Sequence, residues 1–188
     1  TNTTSAEDTL AAANNNVATA NAATADAAKK EAEKPTSKSI TRGLAETQNR
    51  MGWYYYHGDG VPKNYEESFK WFQKAANLGE ASAQFNVGMM YASGTGVKQD
   101  LTEAAKWYKK SAEQGKASAQ LNLGMMYISG RGIRQNLPEG VKWLNKAADQ
   151  GDTTARANLG WLTQQGYLDK IVNGTPADAA TASDSANK

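Results

Sequence analysis

Residues 81–97 read Ala-Ser-Ala-Gln-Phe-Asn-Val-Gly-Met-Met-Tyr-Ala-Ser-Gly-Thr-Gly-Val, and residues 117–133 read Ala-Ser-Ala-Gln-Leu-Asn-Leu-Gly-Met-Met-Tyr-Ile-Ser-Gly-Arg-Gly-Ile. The second stretch is the first one returned after 36 residues. The same interval separates Trp71, Trp107 and Trp143, and it separates Gly43, Gly79, Gly115 and Gly151. Gly52, Gly88, Gly124 and Gly160 keep it, as do Gly58, Gly94, Gly130 and Gly166. Self-similarity at one period over this many positions predicts stacked repeats of one supersecondary unit. Complete units fall at 45–80, 81–116 and 117–152, with a partial fourth at 153–166.

Each unit predicts two helices. Over about 81–92, a 100° step puts Ala83, Val87 and Tyr91 on one side and Phe85, Met89 and Ala92 on another. A narrow polar stripe of Ser82, Asn86 and Ser93 is left. A helix apolar around most of its circumference is buried between several neighbours. The second helix is expected over about 101–114. Asp100 is its N-cap, with Glu103 in the capping-box position; Asn64 with Glu67 and Asn136 with Glu139 repeat the pair. Leu101, Ala104, Ala105, Trp107, Tyr108, Ser111 and Ala112 form its packed side, while Lys106, Lys109, Lys110 and Glu113 face water. Gly115 ends it in a left-handed conformation. Helices of about 13 residues are marginal alone, so each pair needs its neighbours. The expected fold class is an all-α solenoid of stacked helix pairs.

Outside the repeats the composition changes. Residues 1–35 are mostly Ala, Asn and Thr with scattered charge, and only Leu10 and Val17 are sizeable and apolar. Nothing there could bury a face, so a disordered tether ended by Pro35 is expected. Residues 36–44, with Ile40 and Gly43, read as the remnant of a capping helix. Tyr167 to Val172 read as the other cap, and 173–188 as a disordered tail. The hydrophobic share of 39% suits a chain of 188 residues that is only partly packed.

Several function classes are disfavoured at once. The chain has 21 basic and 19 acidic side chains, interspersed, so it carries no long-range field for nucleic acid. It has no cysteine, which removes disulfides, thiolate metal sites and cysteine nucleophiles. His57 is the only histidine, so no two-histidine metal motif or relay can form. It stands where other units carry Ser93 and Ser129, at the lip of a turn. The Gly-x-Gly loops lack a third glycine and a preceding strand, so they are turns rather than phosphate cradles. No apolar run reaches the roughly 20 residues of a membrane helix. No cofactor, metal or catalytic residue is expected, and no transmembrane segment.

The unit Val87-Gly88-Met89-Met90-Tyr91, Gly94-Thr95-Gly96-Val97, Ala104-Ala105-Lys106-Trp107 and Ser111-Ala112-Glu113-Gln114-Gly115 resembles the Sel-one-like repeat family, relatives of the tetratricopeptide repeats. The resemblance covers about 45–166. It departs at Met51-Gly52-Trp53-Tyr54-Tyr55 and at Leu168, where the second loop glycine is replaced. It implies a right-handed superhelix whose first helices line the concave side, a role in scaffolding protein complexes, and no shared catalytic residues.

That resemblance directs attention to the polar columns of the first helices. They run Glu46, Arg50, His57; Ser82, Asn86, Ser93; Ser118, Asn122, Ser129; and Thr154, Asn158, Gln165. Asparagine both donates to and accepts from a peptide backbone. Methionine adapts to varied partners, and aromatic residues and arginine are frequent hot spots. The candidate partner-binding set is therefore Arg50, Trp53, Tyr54, His57, Asn86, Met90, Asn122, Met126, Asn158 and Trp161. Of each methionine pair, the first (Met89, Met125) is the better candidate for interhelix filler. The second lies closer to the polar stripe. Trp71, Trp107 and Trp143 are expected in the core.

The expected function is a protein-interaction scaffold or adaptor that takes a protein or peptide partner in the concave groove, as a monomer. Two alternatives stay open: an immunity or inhibitor protein that blocks a toxic enzyme, and a peptidoglycan or carbohydrate binder using Trp53, Tyr54 and Trp161. Residues 1–35 resemble the linker after the lipidated cysteine of outer-membrane lipoproteins. The expectation is a bacterial periplasmic or outer-membrane-associated protein, with a lipid anchor upstream of Thr1; a cytoplasmic location is the alternative.

Overall fold

The computed structural model describes residues 36–167. The expected tether over 1–35, the tail over 173–188, Leu168 and most of the second cap lie outside the described residues. Those described form seven helices and no strand: α1 Ser37–His57, α2 Tyr65–Asn77, α3 Ala81–Ser93, α4 Leu101–Glu113, α5 Ala117–Ser129, α6 Leu137–Asp149 and α7 Thr153–Gln164. By chain contacts the protein divides into residues 1–40 and 41–188, and the stacked helices belong to the second unit.

Each helix starts and stops where local chemistry requires it. Asn64 accepts from the Glu67 amide, Asp100 from the amides of Thr102 and Glu103, and Asn136 from the Glu139 amide. These are N-caps, but only half of the anticipated capping box forms. The cap backbone amides are taken instead by carbonyls of the preceding helix: Asn64 by Tyr55, Asp100 by Tyr91 and Asn136 by Tyr127. The freed glutamates pair with lysines three residues on, Glu67 with Lys70, Glu103 with Lys106 and Glu139 with Lys142. These pairs are exposed and contribute little to stability.

Within a unit the two helices approach closely at a glycine. A Cβ on Gly52 would stand 2.4 Å from Phe72, and one on Gly88 2.8 Å from Tyr108. Between units, the second loop glycine rests on the start of the previous second helix. A Cβ on Gly96 would lie 2.2 Å from the Tyr65 carbonyl oxygen, and one on Gly132 2.3 Å from that of Leu101. Both glycines also have positive φ, at +68° and +73°.

The core is a series of clusters, one per seam between units. Trp107 joins Phe72, Ala75, Ala76, Ala83, Val87 and Met90 at the first seam. Trp143 joins Ala104, Tyr108, Ala112, Ala119, Leu123 and Met126 at the second. Leu144, Ala147, Ala148, Ala155 and Leu162 form the third. Each tryptophan of the column is roofed by a lysine three residues later, with Nζ 4.0–4.2 Å from the ring centre.

A buried amide pair recurs beside these clusters. Gln84 donates to the Ala76 carbonyl and accepts from Gln114; Gln120 donates to Ala112 and accepts from Gln150. In the last helix Arg156 takes over, donating to the Ala148 carbonyl. In the first unit the partner position is Leu78, and Gln48 Oε1 is buried with no hydrogen bond.

Residues 37–44 are helical and continuous with the first helix of the first unit. Helix α1 runs unbroken through Gly43, which stays helical while Gly79, Gly115 and Gly151 all take φ near +92°. Ile40 and Leu44 are exposed. Gly43 lies inside a helix and does not end one as Gly79, Gly115 and Gly151 do.

Candidate functional site

The first-helix face divides the anticipated contact residues into two groups. Arg50, Tyr54, His57 and Trp161 are exposed, and Trp53, Asn122 and Asn158 are half-buried. Asn86, Met90 and Met126 are buried, at 3%, 1% and 8% exposure. Burial takes Asn86 and Met90 out of reach of a partner in this structure, while Met126 keeps a small exposed edge in the wall of a hollow. Asn86 donates to Asn49 Oδ1 on the neighbouring first helix at 3.0 Å, so its amide joins two units. The methionine assignment is reversed: Met90 and Met126 are core, while Met89 is half-buried and Met125 exposed. The physical reason is angular. Positions 90 and 126 lie one 100° step further round, against the next second helix, where Trp107 and Trp143 close over them.

At the first unit Trp53 is not a free platform. His57 stacks on its ring at 5.2 Å and 11°, and Tyr56 and Phe72 meet it edge-on at 5.4 and 5.3 Å. Tyr56 in turn packs on Tyr65 at 5.1 Å. Aromatic rings therefore fill this end of the face.

The second seam is open. A hollow of about 360 Å³ lies between the second and third units. Ala92, Leu101, Tyr108, Met125 and Met126 supply its apolar wall. Asn122, Ser129 and Arg131 bring polar atoms to it. The Asn122 amide lies beside the Tyr108 phenol. Burial pushes that phenol up to about 12, with the neighbouring Asn122 amide acting the other way. The Ser129 hydroxyl is spent on the Met125 carbonyl. A second hollow of about 340 Å³ lies across the same loop, lined by Tyr127, Ile133, Arg134, Gln135 and Asn136.

Of the anticipated set, the main hollow gathers Asn122 and Met126 and leaves the others elsewhere. Ala92, Leu101, Tyr108 and Arg131 were not anticipated. Ala92 carried a readable signal, being the small residue in a column otherwise held by Tyr56 and Ile128.

Among the described residues no group of three acidic or histidine side chains could hold a metal, and no helix is long and apolar enough to cross a membrane. Stacked helix pairs with a recessed, mostly apolar hollow at one seam define a helical-repeat scaffold.

The chain belongs to the Sel1 repeat family: that repeat's family model matches residues 45–80, 81–116 and 117–152. Sel1 repeat proteins typically act as protein-interaction scaffolds. The fold is similar to that of a Sel1 repeat protein from Oxalobacter formigenes, at 40% identity and a TM-score of 0.64, covering 70% of this chain and 53% of that one. It is also similar to a protective antigen of uropathogenic Escherichia coli with an SLR fold, at 36% identity and TM-score 0.65, over 68% of this chain and 27% of that one. The chain thus spans about half, or less, of the length of these two relatives. Cysteine rich protein B of Helicobacter pylori shares the fold at 23% identity and TM-score 0.52, over 65% of this chain and 96% of that one. No curated protein matches the sequence.

Proposed function

We propose that the chain is a non-enzymatic protein-binding module whose first-helix, concave face receives a segment of a partner protein. The observation that carries this is the open hollow at the second seam, with Met125 38% exposed at its wall and the Asn122 amide beside it. Exposed methionine and a half-buried amide suit a peptide, which offers side chains to the first and backbone to the second. Arg50, Tyr54, His57, Asn158 and Trp161 extend the same face toward its ends. The composition of residues 1–35 supports a bacterial envelope location on a tether.

The test is affinity capture with residues 36–188, followed by titration of the captured protein. Met125→Asp with Asn122→Ala should weaken binding by about ten- to a hundredfold, from a lost hydrogen bond and an apolar contact. Lys106→Glu with Lys109→Glu, on the exposed second-helix side, should change it by less than about threefold. Loss in the second pair alone would move the partner to the outer surface.

A further inference from the structure

The same place in three successive seams is built differently. At the first, Tyr56, Tyr65 and Phe72 meet; 36 residues on these become Ala92, Leu101 and Tyr108, and 36 further on Ile128, Leu137 and Leu144. Tyr56 and Tyr65 are in ring contact, and Ile128 packs on the Leu144 cluster. At the middle seam Ala92 and Leu101 stand where the first has two rings, and both line the 360 Å³ hollow. A mostly apolar recess of this size with a few polar groups has the build of a ligand site.

Its charge is as specific as its shape. Arg131 lines the hollow, at a position held by Asp59 and Thr95 in the earlier units. Arg134 lines the second hollow across the loop. Neither arginine is in an ion pair among the described residues, so both guanidinium groups are available to a ligand. The loop from Gly130 to Asn136 contains two arginines and no acid. A guanidinium binds a carboxylate through two parallel hydrogen bonds, and it does so best beside apolar surface that excludes water.

We propose that this hollow recognises an acidic segment of the partner protein, taking one large apolar side chain against Leu101 and Met125 while an adjacent aspartate or glutamate pairs with Arg131. This rests on the reading of the chain as a protein-binding module and names the chemistry of what it binds. Arg134, on the far side of the loop, would meet a second carboxylate of the same segment.

The probe is a capped peptide, acetyl-Gly-Asp-Phe-Asp-Gly-amide, titrated into the chain carrying ¹³C-methyl methionine. Saturable shifts of the Met125 and Met126 methyls are expected, weakening steeply with added salt. The Asn-Phe-Asn version should bind about tenfold more weakly, and so should the Asp-Ala-Asp version. Arg131→Gln changes an exposed side chain, so the fold stays, and it should reduce affinity for the acidic peptide about tenfold while leaving the neutral one unchanged. Ala92→Tyr copies the first seam and should abolish the methyl shifts, with circular dichroism reporting the fold. Absence of binding, equal binding of the neutral peptide, or indifference to Arg131→Gln would each overturn the proposal. If a captured partner protein binds the Ala92→Tyr and Arg131→Gln variants as it binds the original chain, the module reading stands and this one falls. If no protein is captured, both the module reading and this one fall.

Discussion

The first and second units share phase and residue types, yet the same positions do different work in them. Trp107 is 9% exposed and packs where the second helix of the unit before meets the first helix of its own, whereas Trp71 is half-buried, with no helix pair ahead of it among the described residues. Gly96 rests on the Tyr65 carbonyl; Gly60, at a similar φ of +73°, has nothing within 4 Å of a Cβ. Gln84 has its amide partner in Gln114, and Gln48 has only Leu78. In a solenoid a side chain acts through its neighbouring unit, so a repeat at the end of the stack keeps the sequence signature and loses part of its energetic content.

Four measurements can break or sharpen that contrast. The largest effect is expected at the tryptophans. Trp107→Ala should cost about 3–5 kcal/mol in denaturant unfolding, as a large aromatic lost from a packed seam. Trp71→Ala should cost about 1–2 kcal/mol. Equal losses would mean that the column is stabilised within each unit and not across the seam.

The loop glycines come next. Gly60→Ala should cost about 1 kcal/mol, the strain of a left-handed alanine. Gly96→Ala adds a collision with backbone and should cost about 3 kcal/mol in the same assay. A crystal structure of the second variant should show the Gly94–Val97 loop lifted from the start of α2.

The amide pair offers a gain. Leu78→Gln restores in the first unit what Gln114 does in the second. It should stabilise by about 1 kcal/mol, because a buried acceptor gains its donor and an exposed leucine is removed. No gain in melting temperature would show that Gln48 is already satisfied by water.

The smallest effect is a pH dependence. The Tyr108 phenol is held near 12 in the folded chain against an ordinary 10.0. The unfolded chain therefore releases this proton first. Its contribution is whole below pH 10 and is lost as the pH rises toward 12. Tyr108→Phe, which installs the residue found at Phe72, should flatten the fall in stability across that window. It should change stability at pH 7 by no more than about 1 kcal/mol. A residual slope is expected from Tyr91, which burial also raises, with Glu103 and Asp100 adding to it. An unchanged slope would assign the alkaline transition to other groups.

The sequence by itself determined the architecture. Period, turn glycines, N-caps and the tryptophan column are local or strictly repeated features, and a 36-residue interval read three times leaves little freedom in helix number or boundary. The lysines of α4 and the packed side of the same helix were legible for the same reason, since one amphipathic helix fixes its own two faces. The contact surface was less legible. Asn86 is polar and in the stripe, but whether it faces a partner or Asn49 depends on a helix 37 residues away in sequence. The choice between Met125 and Met126 turns on one 100° step and on where the next tryptophan lies. The hollow takes its walls from two units, and a void has no residue of its own to be read. Only the stacking of the second unit on the third decided that a recess forms there, that Tyr108 and Asn122 come together in its lining, and that Arg131 stands at the same hollow.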